Sequence, residues 1–388
     1  LSSITGSITV NTLGGNDTLT LDLAGCNFTA NGVTFNGGDP TSAPGDKLII
    51  LGGSTTTQTF NFTNEHDGSV VLAGGGHSGT INYTGLEPVS STVTAANVVL
   101  NYSTITETIT VSQDAGTPAQ TLVDSNVGGE SVSFVNPTTS LQINGGDTGD
   151  DTINVNGFGT SGGGFTASLT INGGTGNDTV SLNADINFAA GNNLDVNLQN
   201  DNAPNPAGTD TINVGPNANL SLTGTGAATL AASRNIAMAS GSSITTVNGN
   251  LTLNANQQAT PTPGYFYAVD LQNATLTTSG RGNIVINGKG GSDTVAAPGV
   301  FSSLGLFVNG TGSIRSTSSA ADAGLITIDG RGGNTGATGT VGVLIAGQAT
   351  IASVSGDISL DAVGGETIGV DGVISSYGLG LSGSTNSI

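Results

Sequence analysis

Between Leu169 and Leu182 the chain reads LTINGGTGNDTVSL: apolar residues at every second position, then a turn of glycine, asparagine and aspartate, then alternation again. A period of two places Leu169, Ile171, Val180 and Leu182 on one side of two short strands and the polar residues on the other. The phrase recurs. LQINGGDTGDDTINV from Leu141 is a near copy offset by 28 residues, and shorter variants stand at Leu13–Leu21 (LGGNDTLTL), Gly208–Val214 (GTDTINV), Ile286–Val295 (INGKGGSDTV) and Ile328–Asn334 (IDGRGGN). Such repetition predicts stacked supersecondary units before it predicts an active site. Stacking the two long copies sets Ile143 on Ile171, Asn144 on Asn172 and Asp151 near Asp178.

The same alternation, bounded by Gly, Asn or Asp, predicts strands at Ser7–Val10, Thr18–Leu23, Lys47–Leu51, Thr59–Thr63, Ser69–Leu72 and Thr80–Tyr83. It continues through Val93–Tyr102, Glu107–Val111, Thr121–Val123 and Glu130–Phe134. Beyond DNAPNPAG at Asp201–Gly208 the repeat becomes strand, glycine corner, strand: Ile244–Leu253, Leu276–Ile286, Ile314–Ile328, Ile351–Leu360 and Ile374–Leu381. The expected division is an N-terminal β module over 1–90, a β-solenoid module with the acidic glycine turns over 91–205, and regular β-solenoid repeats over 206–388. No stretch carries the i, i+3, i+4 stripe of a helix, and each Gly inside one would cost about 1 kcal/mol.

Composition sharpens this reading. With 63 Gly in 388 residues, 4% aromatic and no Trp, the chain lacks the large side chains of a thick core. It suits a thin one, in which Val, Ile and Leu of each strand rest on their equivalents in the next coil. β-Branched residues in strict alternation argue against disorder. The expected fold is therefore all-β, a parallel β-solenoid, less regular or sandwich-like before about residue 90.

Charge excludes one class of partner. The formal charge is −21, and the six bases are Lys47, Arg234, Arg281, Lys289, Arg315 and Arg331. So few cannot neutralise a run of phosphates, which excludes nucleic acid. No apolar run approaches the roughly 20 residues of a membrane helix. Cys26 stands alone, so there is no intrachain disulfide framework.

Within INGGTGNDTVSL, Gly173, Gly174, Gly176, Asp178 and Val180 match G-G-x-G-x-D-x-U-x, and the phrase resembles the calcium-binding nonapeptide of RTX proteins. The wider layout, with GLEP, GESVSFVNPTTSL and strand–glycine–strand units, is similar to repeat modules of giant bacterial surface proteins of haemagglutinin or autotransporter type. That resemblance implies an extracellular or cell-surface β-solenoid acting as fibre, scaffold or adhesin segment. Calcium is the cofactor it implies, with Asp178, Asp151, Asp17 and Asp293 as ligands, since a hard cation takes oxygen donors. RTX sites are completed by consecutive nonapeptides, whereas the copies here lie 28 or more residues apart. The competing role for these acids is hydrogen bonding to the backbone of their own turns.

The enzymatic alternative is a carbohydrate-binding or polysaccharide-cleaving β-helix, which needs paired carboxylates. Its candidates are Asp150-Asp151, the cluster Glu65-His66-Asp67, His77 in GGGHSG, and Tyr265-Phe266-Tyr267 as a platform of rings for sugar. Only the DD pair matches the polygalacturonase set literally, and acids spread so thinly favour a structural protein over an enzyme. The strand-like beginning at Leu1 and the repeat carried almost to Ile388 lead to two further expectations. The chain is a processed product or a segment of a longer polypeptide, and its partners are adjoining modules or copies of itself, head to tail, with surface glycans as a further partner.

Overall fold

The computed structural model describes residues 6–24, 32–39, 45–103, 105–127, 129–146, 148–159, 164–199, 208–292, 303–334, 340–365 and 377–382. The protein is all-β, with 56% strand and no helix among the described residues. The strands are short, most of them four to six residues, because glycine, asparagine and aspartate end each apolar alternation at a corner. The chain divides into two compact units, Leu1–Gly174 and Thr175–Ile388.

In the first unit, one sheet is ordered Ile8–Asn11, Val33–Asn36, Gly79–Thr84, Gly68–Ala73, Ser54–Phe62, Thr94–Asn101, Ser140–Asn144, Ser168–Asn172. A second is ordered Thr18–Asp22, Asp46–Leu51, Leu86–Ser91, Val132–Val135, Gln120–Ser125, Thr108–Gln113, Thr152–Val155. Neighbours are parallel except around two strands. Gly68–Ala73 and Gln120–Ser125 each run antiparallel to both of their partners. Mixed pairing thus extends to Val135, beyond the expected limit near residue 90, while parallel pairing already begins with Ile8–Asn11 on Val33–Asn36.

The second unit has three sheets, whose described pairs within it are all parallel. The predicted equivalence of Leu276, Ile314 and Ile351 holds, and Ile244 precedes them in the same column. One expectation fails. The likeness of Ile374–Leu381 to Ile351–Leu360 carries Leu379–Leu381 onto Ile358–Leu360, but Tyr377–Ser382 pairs with Thr340–Ala346, Leu379 on Val343 and Leu381 on Ile345, in a different sheet from Ile358–Val363. The alternation of its second half was right for a strand but cannot tell one sheet from another, and Ile374–Ser376 lie outside the described residues. The expected boundary at Asp201–Gly208 lies, except for Gly208, outside the described residues.

Register holds these sheets together. The 28-residue offset is a rung of the ladder: Leu141 pairs with Leu169, Ile143 with Ile171 and Asn144 with Asn172. Leu100 pairs with Ile143 on the other side, so Leu100, Ile143 and Ile171, all fully buried, make one inward column. Beside it runs a column of amides. Asn101 donates from Nδ2 to Asn61 Oδ1 at 2.8 Å, Asn144 to Asn101 at 2.7 Å and Asn172 to Asn144 at 2.8 Å. Each amide accepts from one coil and donates to the next, which satisfies partly buried polar groups without breaking the pleat.

Replacing Ile143 by Ala leaves a gap between two buried neighbours, and the first unit is expected to lose about 2–5 kcal/mol. Chemical denaturation of the full chain measures this. The change Thr138→Ala at an exposed position serves as the control and is expected to stay within about 0.5 kcal/mol.

Candidate functional site

Within their units, Asp17, Asp151 and Asp178 sit immediately before strands, where the chain turns a corner. In the first unit the N–H of Asp17 donates to Asp46 Oδ1 at 2.7 Å, and the N–H of Glu107 to Asp151 Oδ1 at 3.0 Å. In the second, the N–H of Asp178 donates to Asp210 Oδ1 at 2.7 Å, while Asp210 Oδ2 accepts from Ser233 Oγ at 2.7 Å. Asp46, Asp151, Asp178 and Asp210 are buried, and Asp17 is half-buried. A carboxylate therefore reaches the backbone of the adjoining coil, which satisfies a donor that the corner would otherwise orphan. Asp293 lies outside the described residues. Asp46 and Asp210, absent from the sequence-based set, share its signal: an acid at the start of a strand or directly before it.

The turns pack too closely for side chains. Gly146, at φ +128°, would place a Cβ 1.9 Å from the carbonyl oxygen of Ser103. Only glycine lets one coil approach the next this way.

The pairs proposed for carbohydrate chemistry separate. Asp150 is exposed and Asp151 buried, as alternation requires, so their carboxylates do not share a face. His77 Nδ1 turns back onto the backbone of Ser54, 3.2 Å from its nitrogen. Tyr265-Phe266-Tyr267 is not a row of exposed rings. Phe266 is buried with the Arg234 guanidinium 5.2 Å from its centroid, and Tyr267 packs edge-on against Phe307 at 5.2 Å.

Glu65-His66-Asp67 has a different setting. It forms the turn from Ser54–Phe62 into the antiparallel strand Gly68–Ala73, closed by Asn64 Oδ1 accepting from the N–H groups of His66 and Asp67. The turn that follows the other antiparallel strand carries Glu130, and the strand Leu86–Ser91 carries Glu87. One ligand atom from each of His66, Glu87 and Glu130 lies within 4.8 Å of the others. His66 Nδ1 is 3.7 Å from Glu87 Oε2 and 3.3 Å from the Leu86 carbonyl oxygen, while Nε2 is 3.2 Å from Glu65 Oε1. Sequence reasoning found the first arm of this cluster and missed Glu87 and Glu130, which lie 21 and 64 residues beyond His66.

The electrostatics are unbalanced. Glu130 is 1% exposed, and neither of its carboxylate oxygens has a well-formed hydrogen bond. Burial, reinforced by Glu87, pushes its carboxyl up to about 9, against a weaker opposing pull from the Ser131 N–H. Burial also raises Glu87, with His66 opposing, and raises Glu107 to about 7 despite its hydrogen bond from Ser125. The Tyr83 hydroxyl, buried beside Glu130 and Asp67, is raised as well. Residues 1–174 hold 14 acids and one Lys or Arg, Lys47. His66 also faces an open pocket of about 600 Å³, whose lining includes Leu13, Asn64, Glu65, Asp67 and Val127.

The chain matches no protein-family model, no curated protein and no solved structure. The arrangement itself offers two chemistries: corner carboxylates engaged with backbone, and one dense His–Glu cluster beside a pocket.

Removing a corner carboxylate should be costly in a particular way. Asp210→Ala leaves the buried Asp178 N–H without its acceptor, at a cost of about 1–3 kcal/mol. Asp210→Asn keeps an oxygen there and is expected to cost less than half as much. Equilibrium denaturation of both variants in parallel provides the comparison.

Proposed function

We propose that the chain is a parallel β-solenoid serving as a structural segment of an extracellular or cell-surface fibre, scaffold or adhesin. The observation that carries this reading is the uncovering of the last described rung. Leu379 and Leu381 are 39% and 56% exposed, whereas their partners one coil earlier, Val343 and Ile345, are fully buried. Val354 and Val363 are exposed as well. At the other end Leu19 and Leu21 are only half-buried, while Leu48 and Ile50, their partners in the next coil, are fully buried. An apolar rung with strand edges beside it is a template for a further coil. That coil comes from an adjoining module or from another copy, added head to tail.

The internal ladders support the same reading, because apolar columns, amide columns and corner acids all serve coil-to-coil adhesion. Calcium at Asp17, Asp151 and Asp178 belongs to this proposal as an additional clamp on the corners, competing there with the backbone hydrogen bonds.

Two measurements test it. Sedimentation of the full chain should show association that grows with concentration, and Leu379→Lys with Leu381→Lys should return it to a 37.8 kDa particle. A monomer at all concentrations, equal to the double variant, contradicts the head-to-tail reading. Calcium content after equilibrium dialysis should fall in Asp151→Asn/Asp178→Asn, and unchanged content removes calcium from those corners.

A further inference from the structure

We propose that His66, Glu87 and Glu130 form a binding site for a divalent first-row transition ion of the zinc type, with Glu65 orienting the imidazole. This goes beyond the structural role and uses none of the corner acids.

Geometry comes first. Three donors from three separate segments converge within 4.8 Å, and His66 Nδ1 stands 3.7 Å from Glu87 Oε2. Tetrahedral zinc with bonds of about 2.0–2.2 Å needs donors about 3.4 Å apart, so no pair of donors has to close by more than about 1.4 Å. The backbone already holds two of the three segments together, since the N–H of Leu86 donates to the His66 carbonyl oxygen at 3.0 Å.

The second observation is Glu130. It is a carboxylate, 1% exposed, whose two oxygens lack well-formed hydrogen bonds and which points at an imidazole and a second carboxylate. A buried carboxyl without a hydrogen-bonding partner is held neutral or is satisfied by a cation. Among the described residues no Lys or Arg forms an ion pair with Glu87 or Glu130. A divalent ion supplies the partner that the Glu130 oxygens lack.

The identity of the ion follows from the donor set. One nitrogen and two carboxylate oxygens favour zinc and its neighbours, whereas calcium and magnesium prefer oxygen alone. Glu65 completes the arrangement by accepting from Nε2–H at 3.2 Å, the usual carboxylate–histidine–metal relay, which leaves Nδ1 to present its lone pair. Nδ1 lies 3.3 Å from the Leu86 carbonyl oxygen, and binding exchanges that contact for the ion. His66 also borders the open pocket, which gives the ion a route in and leaves room for water or an exogenous ligand as a fourth donor.

The test is titration of the metal-free full chain with Zn²⁺ by calorimetry and with Co²⁺ by visible absorption. One equivalent should bind, with the absorption of low-symmetry cobalt. His66→Gln and Glu130→Gln should each weaken binding at least about 100-fold, and Glu65→Gln about 10–100-fold. Excess Ca²⁺ should not displace the cobalt, and Asp151→Asn/Asp178→Asn should leave it bound. Glu130→Gln has the shape of the protonated acid, and its melting curve shows that the variant is folded. Absence of stoichiometric binding, or binding of equal strength in folded Glu130→Gln, overturns the proposal. It would leave the head-to-tail reading untouched.

Discussion

Coil-to-coil register is the constraint on which everything else in this protein depends. A parallel strand can lie on its neighbour only if the inward residues coincide, because a shift of one residue would turn every Ile and Leu to the outside. The chain meets this condition with three devices that act at different points of a coil. Leu100, Ile143 and Ile171 fix the inward face, Asn61, Asn101, Asn144 and Asn172 fix the outer face, and corner carboxylates such as Asp151 and Asp210 fix the turn. The amides and acids matter for specificity as much as for energy. An apolar column tolerates slippage by two residues, but a hydrogen-bonded rung does not.

The candidate metal centre arises where register is interrupted. Gly68–Ala73 and Gln120–Ser125 reverse direction and force tight turns into a structure otherwise made of crossings between sheets. Tight turns carry polar residues, and here two of them bring Glu65, His66 and Glu130 beside Glu87. Chemical density therefore appears at a topological irregularity, while the regular coils stay chemically plain.

This explains what the sequence revealed and what it concealed. Ile143 over Ile171 was legible because two copies of one phrase lie a single coil apart, and the all-β character was legible from alternation alone. The separation of Asp150 from Asp151 also follows from alternation, although adjacency suggests a pair. The cluster was half legible: Glu65-His66-Asp67 stands out as a run of ionisable residues in a chain with only 9% charged residues. Glu87 and Glu130 do not, because their proximity depends on which strands run antiparallel, and nothing in GLEPV or GGESV announces a direction. For the same reason Tyr377–Ser382 was a recognisable strand assigned to the wrong sheet.

Rungs of the same column in the second unit are unequally spaced along the chain: Leu220, Ile244, Leu276, Ile314 and Ile351 pair in succession at intervals of 24, 32, 38 and 37 residues. The strands that meet keep their lengths, so the difference is carried between them. Such a chain separates the part that must be conserved from the part that is free to vary. Added segments change what the surface displays without disturbing the stack beneath, which makes the intervals between rungs natural graft points for foreign epitopes or binding peptides.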